Sequence, residues 1–248
     1  MVTQITADQL ASVTTQKLVQ DLEIKSNASN PTYQVDINSG LVGADDGSVI
    51  MEVSSPITVD ITASGANGLD TGSEASSTWY YLYLIYNPTT DTVAGLFSVS
   101  STSPTMPSGY TKKRLVSARY NDASSNFIAF VQYNGEVFNN SYFGVLVGGT
   151  AGSYTSIDVS NYLPPIASVG SYMMWTSWVT GGGATSYIGF DGTNTQALGY
   201  SNYGQSTRGA TMVKMPSTES GGSRYIYYWI NSTDGQVSVY IRGFTLYF

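Results

Sequence analysis

An all-β fold follows from three features of this sequence. Short apolar runs recur along the chain, separated by turns rich in Gly, Asn, Asp and Pro. The composition is high in tyrosine (20) and glycine (26) and low in charge (11%, against roughly 25% in ordinary soluble proteins). Helical spacing of apolar residues is confined to one segment, at the N-terminus. Many short strands joined by such turns build β-sandwiches or barrels. A length of 248 residues allows one large or two modest domains, and 42% hydrophobic content is ample for a core.

Residues 1 to about 26 are the helical candidate. Leu10, Val13, Leu18 and Leu22 recur at roughly helical spacing, and Thr6 with Gln9 has the pattern of a capping box. The β-branched run Val13-Thr14-Thr15 opposes a helix. Three readings follow: a frayed terminus, an adaptor that uses those four residues to attach the chain to a larger assembly, or a short coiled segment joining subunits.

After the polar break N-A-S-N-P at 27–31 come strands at Tyr33–Asn38, Ser48–Val53 and Ile57–Ala63, then a loop over Ser64–Ser77. The next strand, T-W-Y-Y-L-Y-L-I-Y from Thr78, is apolar on both faces. Trp79, Tyr81, Tyr83 and Ile85 share one face, and Tyr80, Leu82, Leu84 and Tyr86 share the other. A half-buried strand alternates apolar with polar residues, so this one is expected to be covered on both sides, by core and by a second sheet or subunit. Turns at Asn87–Asp91 and Pro104–Gly109 follow, then a strand at Leu115–Tyr120. A further strand, Phe127–Tyr133, pairs with Glu136–Phe138 across Asn134-Gly135, a strong hairpin signal.

The Gly-rich stretch Gly148–Ser153 reads as a domain boundary. Strands are then expected at Ser156–Val159, Tyr172–Val179, Tyr187–Phe190, Gln196–Tyr200, Ala210–Lys214, Arg224–Ile230 and Gln236–Tyr247. The organisation is thus an attachment segment (1–30), a central β-domain (31–147) and a C-terminal β-sandwich (153–248).

The chain has no cysteine and no histidine, which excludes disulfides, thiolate chemistry and Ser-His-Asp or Cys-His catalysis. A net charge of −7 disfavours nucleic acid, and no stretch is apolar enough for a bilayer-spanning helix. Met1-Val2-Thr3-Gln4 lacks the features of a secretory signal, so synthesis is expected in a cytoplasm, with something else carrying the chain outward. Paired carboxylates are the enzymology left open. The acids Asp45-Asp46, Asp60, Asp70, Asp122, Asp158, Asp191 and Asp234 mostly sit beside Gly, Asn or Ser, where turns favour Asp, so neither a catalytic group nor a cofactor is expected. G-A-D-D-G-S (43–48) and D-G-T-N-T (191–195) offer oxygen ligands without matching an EF-hand loop, and no metal site is assigned. Lys112-Lys113-Arg114, the basic cluster, reads as a solvated strand end or a contact to an acidic neighbour.

Trp175, Trp178, Tyr187, Tyr200, Tyr203 and Trp229 lie near Gly-rich loops of the C-terminal domain, and large rigid amphipathic rings in such places are good binding surfaces for sugars or proteins. Tyr200 and Tyr203, in G-Y-S-N-Y-G, are the loop-like candidates. Trp175, Trp178 and Trp229 lie within expected strands, where core or subunit packing competes with ligand binding.

Three segments carry a resemblance. They are G-L-D-T-G (68–72) leading into T-W-Y-Y-L-Y-L-I-Y-N-P (78–88), P-T-M-P-S-G-Y-T-K-K-R-L-V-S-A-R-Y-N-D-A-S-S-N-F (104–127), and I-D-V-S-N-Y-L-P-P (157–165) with V-Y-I-R-G-F-T-L (239–246). They resemble tailed-bacteriophage virion proteins: tail fibres, head fibres and capsid-decorating proteins. The resemblance spans most of 65–248 and implies a homotrimeric virion component with a jelly-roll-like C-terminal domain. Its implied partners are its own copies, a capsid or tail protein, and a host glycan or surface protein. The chain lacks the collagen-like repeat and coiled-coil shaft of long fibres, which favours a short fibre, a spike or a decoration protein.

Overall fold

The computed structural model describes residues 18–167, 169–177, 184–190, 198–202, 209–220, 223–231 and 235–247. These residues form strands, turns and bends, with no helix among them. The chain divides into two units, one ending at Val137 and the other running Phe138–Tyr247.

The first unit begins with β1 (Val19–Gln20) and β2 (Glu23–Ser26), which corrects the helical reading of this stretch. Leu18 and Leu22 are four apart, as on a helix. A period of two nevertheless prevails, because Leu22 and Ile24 are sealed inside while Glu23 and Lys25 stay partly exposed. Leu22 is therefore committed to the unit's own core, with Leu18 half-buried beside it; Leu10 and Val13 lie outside the described residues. Next come β3 (Gln34–Ile37), β4 (Gly40–Gly43), β5 (Ile50–Val53), β6 (Ile57–Asp60) and β7 (Gly68–Leu69). After them run β8 (Thr78–Asn87), β9 (Thr92–Ser98), β10 (Lys112–Asn121) and β11 (Phe130–Tyr133). Within this unit the strand orders are β1-β4-β5, β10-β8-β9-β7 and β11-β2-β3-β6. All pairs are antiparallel except β7 with β9.

β8 is covered on both faces, as its two apolar faces require. Tyr81, Tyr83 and Ile85 on one side and Tyr80, Leu82 and Leu84 on the other are all buried, the most exposed being Tyr81 at 6%. The chain supplies this cover itself, without a second subunit. Trp79 remains half-buried at the strand's start, its ring 5.3 Å from that of Tyr120. Close packing over the neighbouring strand depends on Gly95 in β9, where a Cβ would collide with Cγ2 of Val59 on β6.

The expected loop over Ser64–Ser77 contains β7, placed by Asn67 in the left-handed region (φ 61°). Asn67 bonds Gly95 twice: its amide donates to the Gly95 carbonyl (2.7 Å), and its Oδ1 accepts the Gly95 N–H (2.9 Å). Asp70 then accepts the Thr105 N–H at 2.8 Å, joining G-L-D-T-G to the proline-rich turn.

β10 carries a bulge: Leu115 pairs with Tyr83 and Ser117 with Leu82, leaving Val116 extra. Gln132 of β11, fully buried, answers it. Its Nε2 donates to the Val116 carbonyl (2.7 Å), and its Oε1 accepts the Ser117 hydroxyl (2.7 Å). Nearby, the Arg119 guanidinium lies 3.6 Å from the centroid of Phe130, and burial pushes its pKa down to about 9, which leaves it charged at neutral pH. The hairpin after β11 turns at Asn134 (φ 46°) and Gly135 (φ 88°), the two positive angles of a type I′ turn.

The second unit contains most of β12 (Glu136–Gly149), then β13 (Thr155–Asp158), β14 (Val169–Ser177), β15 (Ala184–Gly189) and β16 (Leu198–Asn202). β17 (Gly209–Met215), β18 (Thr218–Ser220), β19 (Ser223–Asn231) and β20 (Gln236–Thr245) complete it. Its strands order as β17-β14-β20-β12 and β13-β19-β15-β16, with β18 also paired to β19. Burial alternates along β19 and β20, so each has one inner and one outer face. A buried hydrogen bond between the hydroxyls of Thr176 and Ser186 connects β14 to β15. The division of the chain falls before Gly148–Ser153, not at it. Those glycines end β12 and form a turn attached to β19: Ala151 accepts the Ile230 N–H at 2.9 Å, and Gly152 accepts Nε1 of Trp229 at 2.6 Å. Arg224, turned inward from β19, holds the 157–165 segment. Its Nη1 donates to the Ala167 carbonyl (2.7 Å), its Nη2 to the Pro165 carbonyl, and its N–H to Oγ of Ser160 (2.9 Å).

Gln132→Leu should keep the shape but strand the Val116 carbonyl and the Ser117 hydroxyl in the interior. We expect a loss of about 2–4 kcal/mol in urea unfolding, whereas Val131→Thr on the exposed side of the same strand should be nearly neutral.

Candidate functional site

The two charged motifs of the sequence meet. Asp45 and Asp46, in the β4–β5 turn, face Lys112, Lys113 and Arg114 at the start of β10. Lys112 pairs with Asp46 at 2.7 Å, Lys113 with Asp45 at 2.6 Å, and Arg114 lies 3.7 Å from Asp45. The acidic neighbour expected for the basic cluster is thus in the same chain. A shallow depression of about 180 Å³ lies among Asp45, Asp46, Thr111, Lys112 and Lys113. Its charges are matched within the cluster, which makes it a clamp between turn and strand. The carboxyl of Asp46 is held well below the usual range, first by the bonded Lys112 ammonium and then by the hydroxyl and amide of Ser48.

Four aspartates, Asp46 among them, cap their own turns. Asp46, Asp60, Asp122 and Asp158 each accept the backbone N–H two residues on, from Ser48 (3.0 Å), Thr62 (2.8 Å), Ser124 (2.8 Å) and Ser160 (2.9 Å). These are Asx turns, the reason such segments favour Asp. Asp191 and Asp234 lie outside the described residues, among which no three His, Cys, Asp or Glu side chains are grouped to hold a metal.

Of the six aromatic binding candidates, Trp178 and Tyr203 lie outside the described residues. Tyr200 is in β16, paired with Ser186, and not in a loop. Trp175 is half-buried in β14, with its ring 5.6 Å from that of Tyr240.

Two of the six, Tyr187 and Trp229, come together with Tyr154 on the outer face of the β13-β19-β15-β16 sheet. In β19 the inner positions are Arg224, Ile226, Tyr228 and Ile230, so Tyr225, Tyr227 and Trp229 point outward and are half-buried. Register sets Tyr187 of β15 directly opposite Trp229, and the two rings stack with centroids 4.6 Å apart and planes 17° from parallel. Tyr154, just before β13, lies 6.0 Å from Trp229. The indole is fixed by its bond to Gly152, which leaves three rings in a row across neighbouring strands. The sequence leaves open which side of the sheet Trp229 takes, because Y-I-Y-Y-W-I is apolar on both faces. The isoleucines at 226 and 230 are the available signal, since they mark the inner face and leave the tryptophan outside.

No family model matches the sequence, and no curated protein sequence matches it. Among solved structures, the chain is similar to a Bacillus thuringiensis Cry1Da tryptic core variant at 8% identity, over 94% of this chain and 54% of that one, with a TM-score of 0.23. The chain spans about half the length of that protein, and a TM-score of this size carries no argument about fold or function.

The clamp makes a pH prediction. A carboxylate whose folded pKa is depressed stabilises the fold fully above its unfolded value of about 3.9, and the benefit disappears as pH falls through the depressed value. In a carbon-13 NMR titration the Asp46 carboxyl should remain ionised at about pH 3, and Lys112→Ala should move it back toward the free-aspartate value. Because Asp46 is 53% exposed, that change should cost no more than about 1 kcal/mol.

Proposed function

We propose that this chain is a structural surface protein of a tailed-phage virion, a short tail or head fibre or spike that works by binding. On this reading it is made in the host cytoplasm and assembles as a homotrimer. The segment ahead of β1 attaches it to a capsid or tail protein, and the C-terminal unit, a jelly-roll-like β-sandwich, is displayed toward host glycans or surface proteins. The observation that carries the reading is the half-exposed row of Tyr154, Trp229 and Tyr187, held rigidly on the outer face of a sheet. Rigid aromatic surface is suited to recognition, because little side-chain freedom is lost on contact. Low charge and the three segments that resemble virion proteins agree with it. Three copies multiply a weak contact through avidity.

A second reading, a capsid-decorating protein with no receptor role, draws on another observation. Val147 and Met212 are 72% and 59% exposed in the same unit, and apolar side chains so open to water favour burial against a protein. A carboxylate-based glycan-degrading enzyme is disfavoured, because four of the aspartates are engaged as turn caps.

Light scattering on the purified chain should give a mass three times 26.5 kDa; a monomer at micromolar concentration would overturn the trimer. Antibodies against residues 138–247 should label purified phage particles in immunogold images. Unlabelled particles beside a cytoplasmic pool of the protein would remove the virion assignment.

A further inference from the structure

We propose that the aromatic row is a glycan-stacking site in which the ring of Tyr187 receives the C–H face of a pyranose from a neutral oligosaccharide. The proposal rests on the reading of the C-terminal unit as the binding unit, and it names the ligand class and the contact.

The row crosses the sheet one ring per strand, from Tyr154 through Trp229 to Tyr187. Trp229 is stacked on Tyr187 and flanked by Tyr154, so both of its sides have aromatic neighbours. The next strand, β16, places Gly199 opposite Tyr187. Paired residues on adjacent strands share a face. The glycine puts no side chain at the position opposite Tyr187, and among the described residues the row of rings ends there. A flat, partly apolar group can continue the stack there.

A sugar fits this place better than a peptide does. β15, which carries Tyr187, has backbone partners on both sides, β19 and β16, so an extended peptide could pair only along the outer edge of β16, one strand beyond the ring. Beside the rings the outer face carries short polar side chains. Thr185 is opposite Asn231, and Ser156 is opposite Tyr227. Rings that meet the apolar face of a sugar, with hydroxyl and amide groups at the side for its rim, match a molecule that has both surfaces. The charge balance selects among sugars. Asp158, opposite Tyr225, is the charged outward residue on the described parts of β13, β15 and β19, and the whole chain carries −7. Uronic or sialic acids find no outward cation on those described strands to pair with, so the ligand class is neutral hexoses or N-acetylhexosamines.

The test is calorimetric titration of the intact protein with maltose-, cellulose-, laminarin- and chitin-type oligosaccharides, with oligo-alginate as the anionic control. At least one neutral series should bind and alginate should not. Tyr187→Ala removes the receiving ring, and Gly199→Phe fills its place while leaving the ring intact. Each should weaken binding roughly tenfold or more, while Tyr187→Phe should retain it. Circular dichroism and the thermal midpoint establish that the variants are folded, and because the two changes act in opposite ways, failure of one to fold leaves the other as the test. Binding of no neutral series, equal binding of alginate, or unchanged affinity in folded Tyr187→Ala or Gly199→Phe would overturn the site. Trimer mass and particle labelling are independent of it, so the failure of this site is distinguishable from failure of the virion reading.

Discussion

β8 has no face to give to water, and much of the first unit follows from that constraint. Six consecutive large side chains, Tyr80 to Ile85, are buried on alternating sides. Burying each contributes about 1.5–3 kcal/mol relative to exposure, but only if the chain brings cover from two directions. Several details serve that requirement. Gly95 gives up its side chain so that Val59 can approach. Asn67 turns the chain so that β7 can lie parallel along β9. The bulge at Val116 displaces a carbonyl from the ladder, and Gln132 accommodates it from another strand. A buried Gln is acceptable here because both ends of its amide are bonded.

The second unit solves an easier problem. Its strands alternate, so one face of each forms the interior and the other remains available. The interior still includes polar groups, and these hold neighbouring segments together. Thr176 and Ser186 bond each other, and the inward Arg224 anchors the segment before β14. With these groups committed inside, the outer face can carry tyrosine and tryptophan at little cost to folding. The recognition surface proposed above is therefore a by-product of strand register. Tyr187 and Trp229 are forty-two residues apart by their numbering and are joined by one antiparallel pairing.

Much of this is legible in the sequence where a pattern has one physical reading. The two apolar faces of β8 demand double cover, Asn134-Gly135 demands a type I′ turn, and apolar runs between turns place β13 to β17, β19 and β20, though not β18 or most of β12. Legibility fails where two patterns coincide. Leu18 and Leu22 satisfy a helical spacing, yet the pairing of β2 with β3, unknown until the partner is known, decides for a strand. Gly148–Ser153 has the composition of a linker, but its carbonyls belong to β19. Exposed rings are conspicuous in loops, which draws attention to Tyr200 and Tyr203 and away from the strands. Within Y-I-Y-Y-W-I the tryptophan looks like packing, since tyrosine is at home on either side of a sheet and hides which side is outer.

The Asx turns have a consequence for the behaviour of the protein in bulk. Asp46, Asp60, Asp122 and Asp158 are exposed or half-exposed and serve their turns through an oxygen that asparagine also possesses. Four asparagines would preserve the turn bonds and change the net charge from −7 to −3, since −7 + 4 = −3. At position 46 aspartate adds the ion pair with Lys112, and at the other three it adds mutual repulsion between molecules. A surface with many tyrosines and few charges tends to adhere to itself, and distributing its negative charge among loop ends keeps neighbouring copies apart. The residues that shape the turns thus also set how densely the protein can be crowded before it associates.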